Sequence, residues 1–213
     1  MTSASPTAPT LVELDDATRT LVRVAAVIAA GTESDMRAEF SAAASRAPDL
    51  WIEEVILQSY LFAGFPRALN AMREWRRLVP VNRDAVDARE PQEVARWRAD
   101  GEVTCHAVYG EMYERLRANI RALHPALDEW MIVDGYGKVL SRDALDLSRR
   151  ELCIVAACAA SEQDRQLHSH LHGALNVGVA PGVVEAALVA IADLIGENRL
   201  QSARMLWARV RGK

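Results

Sequence analysis

Cysteine is scarce in this chain: three residues in 213, Cys105, Cys153 and Cys158. An odd, sparse set gives no disulfide framework. Nor is there a secretory-type apolar segment near the start, so a reducing, cytoplasmic setting is expected. Long hydrophobic runs are missing too. None approaches the ~20 residues that cross a bilayer, so no membrane association is expected. Positive charge is not in excess, since 25 Lys and Arg against 29 Asp and Glu leave a net charge of −4. A nucleic-acid partner is therefore not expected. Strand-like alternation is also wanting, because Val and Ile occur singly or in pairs.

What is present is a helical pattern. Half of the residues are hydrophobic and a quarter charged, an ordinary globular balance with enough chain to bury a core. Ala, Leu, Arg and Glu at helical spacing predict helices over 11–31, 34–46, 49–63, 66–78, 92–121, 125–132, 148–160, 162–177, 181–195 and 197–210. Gly64-Phe65-Pro66 and Gly178-Val179-Ala180-Pro181 separate consecutive helices. The glycines of GYGKVLSRDALDLS read as a break. Asp146 and Ser148 offer caps for the next helix, with Glu151 placed to complete a capping box with Ser148.

The two ends of the chain resemble each other. At an offset of 132 residues Glu53 falls on Glu185, Gly64 on Gly196 and Ala71 on Ala203. This predicts an all-α protein built on a duplicated helical-bundle unit. Its expected parts are a disordered tail at 1–10, a degenerate first repeat at 11–79, connecting helices and loop at 80–147, and a second repeat at 148–213. At that offset Gln166 and His170 face Ser34 and Ala38, so only the second repeat looks equipped for chemistry.

Three of the five histidines lie in RQLHSHLHGALNVG, at His168, His170 and His172. On a strand they would share a face. On a helix, neighbours two apart diverge by about 200°. Leu167, Leu171, Ala174, Leu175 and Gly178 mark the buried stripe. His170 then shares one flank with Gln163 and Gln166, while His168 and His172 pair on the other. That i, i+4 pair has zinc-site spacing but lacks the glutamate of HExxH and a third ligand, so no metal is expected. Glu151 reads either as a helix-start residue or as a partner for His170. Tyr136 reads either as a loop residue over a pocket or as part of a plain turn.

Glu151 on one helix, then His170, Ala174 and Gly178 spaced as His-x-x-x-Ala-x-x-x-Gly on the next, resemble the signature of the carboxymuconolactone decarboxylase family. That family also contains the AhpD-like alkylhydroperoxidases. The resemblance covers about 148–207 well and 19–75 weakly. It implies an AhpD-like helical fold and a homo-oligomer. The peroxidases carry Cys-x-x-Cys where this chain has Gln163 and Gln166, and Cys153 and Cys158 sit in an apolar CIVAAC stretch that favours inert thiols. The resemblance therefore implies the decarboxylase branch: a lyase acting on a small anionic, carboxylated lactone, without cofactor. His170 would donate the proton, Glu151 would be its partner and Gln166 a polar anchor, with Gln163, Tyr136 and Arg150 at the substrate. Arg142 and Arg149 are further candidates for the cation. A non-catalytic oligomeric scaffold or small-molecule-binding protein is the alternative, and a thiol redox protein the weaker one.

Overall fold

A computed structural model describes residues 13–80 and 94–212. The tail expected at 1–10 and the polar stretch after Pro80 lie outside these residues. Among the described residues all regular structure is helical, so the protein is all-α.

The first set of helices is α1 (Asp16–Ala30), α2 (Glu33–Ala43), α3 (Asp49–Gln58), the single turn α4 (Tyr60–Ala63) and α5 (Phe65–Leu78). Local chemistry starts them: Asp15 accepts from the Thr18 N–H at 2.8 Å, and Thr32 with Asp35 forms a capping box. A middle segment follows, with α6 (Val94–Tyr109), a 3₁₀ turn at Gly110–Met112, α7 (Tyr113–Leu123), α8 (Pro125–Trp130) and a π-helix at Met131–Leu140. The last set is α9 (Leu147–Ala160), α10 (Asp164–Asn176), α11 (Pro181–Ala190), α12 (Ala192–Ile195) and α13 (Glu197–Arg211).

The outer sets share their wiring. α1 packs along α9 at the centre, and each of these helices also contacts the second and third helices of its own set. α2 lies on α5 as α10 lies on α13. Gly64 (φ 85°) and Gly196 (φ 76°) occupy the same left-handed break, a conformation open to glycine at no steric cost. Trp75 and Trp207 are both buried. Arg67 and Arg199 perform one task in the two sets. Arg67 donates to the carbonyls of Val27, Ile28 and Gly31 at the end of α1. Arg199 donates to those of Cys158 and Ala159 at the end of α9.

Those arginines fix the register. α1 matches α9, and α2 matches α10, one residue out of step with the later helices, because the stretch from the start of α10 to the start of α11 (164 to 181) is one residue longer than that from the start of α2 to the start of α3 (33 to 49). The positions facing Gln166 and His170 are thus Asp35 and Glu39, not Ser34 and Ala38.

Two local expectations are corrected. The glycines of GYGK do not break a helix; they let one widen and pack closely. A Cβ on Gly137 would overlap the Trp97 carbonyl of α6, and one on Gly101 would overlap that of Ile132. The pair α6 and π-helix therefore meets backbone to backbone, and Tyr136 is a buried helical residue. At α9 the cap is Asp146, which accepts from the Arg149 N–H at 2.9 Å. Ser148 instead donates to the Val177 carbonyl, and no capping box involves Glu151.

Candidate active site

α10 buries Leu167, Leu171 and Ala174, the stripe its spacing predicts, and His170 is buried beside them. The stripe's partner is α9, whose middle is almost wholly enclosed. There the Glu151 Oε2 lies 2.8 Å from His170 Nδ1. With Glu151 ionised, Nδ1–H is the donor, and Nε2 is the ring nitrogen left for other work. Glu151 Oε1 is buried with no hydrogen-bond partner among the described residues. The approach depends on Gly173, one turn from His170. A Cβ there would lie 2.6 Å from Glu151 Oε2 and 2.7 Å from Val108 Cγ1.

His170 forms part of the wall of a cavity of about 680 Å³. Three parts of the chain build it. α4 supplies Tyr60 and Phe62, the middle segment supplies Tyr109, Leu116, Trp130 and Tyr136, and α10 supplies Arg165 and Gln166. Phe62 meets the His170 ring edge-on at 5.6 Å, and Tyr109 lies at 6.3 Å. Burial raises both the Tyr109 and the Tyr136 phenol above the usual range. Their rings meet edge-on with centroids 6.2 Å apart.

The candidates from sequence are dispersed unevenly. His170 and Glu151 meet. Tyr136 lines the cavity from the π-helix, and Gln166 stands exposed at its rim. Gln163 does not line it; its amide reaches the Phe62 carbonyl at 3.3 Å and ties α10 to α4. Arg150 is also away from the cavity. It is wholly buried, with Glu54 at 2.7 Å and Gln58 at 3.1 Å, because a buried guanidinium needs a carboxylate and full hydrogen bonding. Arg142 shares Glu54, and Arg149 pairs with Asp146 and Asp15. None of the three arginines faces the site. The cation on its wall is Arg165, whose guanidinium has no ion-pair partner among the described residues. Nothing in the spacing singles out Arg165, Tyr109 or Phe62. A glycine inside an α10 otherwise rich in helix formers was the readable signal for Gly173.

The other chemistries fare poorly. All three cysteines are buried and unpaired. Burial pushes the Cys105 and Cys158 thiols up to about 12, and Cys153 higher still. His168 and His172 sit edge to face at 5.0 Å. They line an adjoining cavity of about 710 Å³ with Glu111 and Arg115, and Tyr109, Leu116 and Ser169 border both. His170 does not line it. Among the described residues no group of three or more His, Cys, Asp or Glu is placed to hold a metal ion. No helix among them is long and apolar enough to cross a membrane.

Residues 125–209, which include Glu151 and His170, match the sequence model of the Carboxymuconolactone decarboxylase family. Two relatives are both named Peroxisomal protein 2. That of Schizosaccharomyces pombe is 28% identical over 137 residues, covering 64% of this chain and 64% of its own length. That of Saccharomyces cerevisiae is 27% identical over 160 residues, covering 62% of this chain and 56% of its own length. The chain thus spans less than two thirds of either relative.

Proposed function

Residues 125–209 belong to the carboxymuconolactone decarboxylase family, and on that premise we propose that the chain is a lyase-type enzyme that moves a proton to and from carbon. The observation that carries this reading is the buried Glu151–His170 hydrogen bond at the wall of the 680 Å³ cavity. In a decarboxylation, the bond from the substrate carbon to its carboxylate breaks and CO₂ leaves. The electron pair stays on that carbon and spreads onto a neighbouring carbonyl as an enolate. Tyr109, kept neutral by burial, donates its hydroxyl to that oxyanion. His170, protonated on both nitrogens, gives the Nε2 proton to carbon, and Glu151 stabilises the imidazolium while it is charged. Solvent restores the proton. The net change is a carboxylate plus one proton becoming a C–H bond and CO₂. Gln166 and Arg165 at the rim fit an anionic substrate.

A non-catalytic binding protein or oligomeric scaffold is the competing reading. The first helical set favours it, since that set keeps the same fold with Thr20 and Glu39 where the second has Glu151 and His170. A thiol redox role is opposed by the enclosed, high-pKa cysteines. The division we propose is that expected from sequence: a tail at 1–10, a degenerate first repeat at 11–79, connecting helices and loop at 80–147 and a second repeat at 148–213. For location, the name of the two relatives makes the peroxisome the alternative to the cytoplasm; imaging a tagged chain decides between them. The deciding test of function is a screen of carboxylated lactones and β-keto acids for CO₂ release. Release that is lost in His170→Gln supports the lyase, and absence of release across the screen supports the binding protein.

A further inference from the structure

The cavity is larger and more one-sided than a compact lactone needs. At about 680 Å³ it falls in the ~300–1,000 Å³ range of sites for drug-sized ligands. At about 30 Å³ per water-sized group, that is room for on the order of twenty such groups. Only two of its lining residues carry full charge, Arg165 and Asp134. Asp134 lies near Tyr60, whose phenol is raised by burial and by that carboxylate. Arg165 has no ion-pair partner among the described residues, and on α10 it lies one residue before Gln166 and five before His170.

Away from that polar group the wall is aliphatic and aromatic. Leu116, Ile120 and Leu127 extend it along α7 and α8, and Trp130 closes the run. The stripe continues out of the cavity into water, where Leu127 is 45% and Trp130 59% exposed. Clustered apolar surface at the mouth of a cavity marks a place where something apolar is received. A compact acid seated on His170 and Arg165 would leave that stripe in water.

We propose that the site receives an elongated apolar molecule ending in a carboxylate or similar anionic group. The anionic head meets Arg165 and Gln166 beside His170, and the chain lies over Leu116, Ile120, Leu127 and Trp130. This deepens the proton-transfer reading and rests on it for the chemistry, though not for binding.

Calorimetric titration with straight-chain saturated monocarboxylates, below the concentrations at which they aggregate, tests it. From about four to about twelve carbons, the dissociation constant should fall about three- to fourfold per methylene before levelling off. The paired change Leu127→Ser with Trp130→Ser, at exposed positions, should flatten that dependence. Arg165→Gln should weaken every acid by a similar factor and leave the slope alone. A flat series in the parent overturns the proposal, and so does a slope that survives the double serine change. If no acid binds until the protein is diluted from a self-associated form, the apolar face belongs to a second copy and the proposal falls. The His170→Gln chain should keep the parent's slope, which separates binding from chemistry. A slope without CO₂ release sinks the lyase and spares this inference; His170-dependent release with a flat series does the reverse.

Discussion

Helices α1 to α5 and α9 to α13 share similar lengths, neighbours, a glycine break, a buried tryptophan and a capping arginine, yet only the second set carries a buried Glu–His hydrogen bond. The difference comes down to a few side chains. In the first set Glu39 pairs with Arg23 at 2.5 Å, and Arg23 also holds Asp193 at 2.6 Å. The position matching Arg23 on α9 is Ile154, fully buried. With no arginine there, Glu151 is left to His170 alone. The frame is thus indifferent to the chemistry, and the cavity owes its remaining walls to α4 of the first set and to the middle segment, which has no counterpart in either set. The largest contrast should therefore appear in turnover. His170→Gln is expected to reduce CO₂ release by about 10²–10⁴-fold, while Glu39→Gln leaves it unchanged; both chains should melt cooperatively by circular dichroism. Equal losses from the two changes would break the comparison.

The sets differ next in how they are joined. Glu54 on α3 is buried between Arg142 and Arg150, and the matching position on α11 is Ala186. Burial alone would raise the Glu54 carboxyl, but the two guanidiniums outweigh it and hold the carboxyl below its usual 4.5. Glu54→Ala would strand Arg150, which is 0% exposed; the expected cost is about 3–5 kcal/mol by urea unfolding. The sign with pH follows from the depressed folded-state value. The pair's stabilisation is full above the unfolded carboxylate pKa, and it is lost as pH falls from about 4.5 through the lower folded value. The stability gap between the parent and Glu54→Gln should accordingly narrow over that acid range. A gap constant with pH would mean that Glu54 is not held as an anion.

A smaller effect is expected at Gly173. The matching residue of α2 is Ala42, exposed and unremarked by its neighbours. Glycine to alanine inside a helix ordinarily gains about 1 kcal/mol. At Gly173 the new Cβ meets Glu151 Oε2 and Val108 instead, and overpacking of this kind costs about 1–3 kcal/mol. Gly173→Ala should thus lower the melting temperature and turnover together. A gain in stability with full activity would show that the close approach of α9 and α10 is not what sets the Glu151–His170 distance.

The sequence made the outer helices readable because their apolar periodicity and glycine breaks are local signals. His170 could be assigned to a flank of α10, and separated from His168 and His172, by helical angle alone. The pairing of His170 with Glu151 came from resemblance rather than spacing. Arg150 could not be placed, because its partner Glu54 lies 96 residues away and only the packing of α3 on this part of the fold brings them together. Tyr136 was misread for a different reason. Glycine marks both chain breaks and close backbone approach, and at Gly137 the second meaning applied. The register slip at Glu39 arose because the anchors Glu53, Gly64 and Ala71 all lie after the point, between the starts of α10 and α11, where the second half carries one extra residue.

The capping arginines offer the most delicate comparison. Arg67 and Arg199 each place a cation against the last carbonyls of the central helix of their own set, where it satisfies orphan acceptors and opposes the negative helix end. Each substitution to alanine should cost about 1–2 kcal/mol. Arg199 also bonds to Asp164 at 2.7 Å, but that carboxylate is 56% exposed, and such a contact adds little. The two costs should therefore agree to within about 0.5 kcal/mol and, with no partner in common, should add in the double variant. A much larger loss at Arg199 would mean that α9, which carries Glu151, leans on its cap more than α1 does, and that the two frames are alike in shape but not in energy.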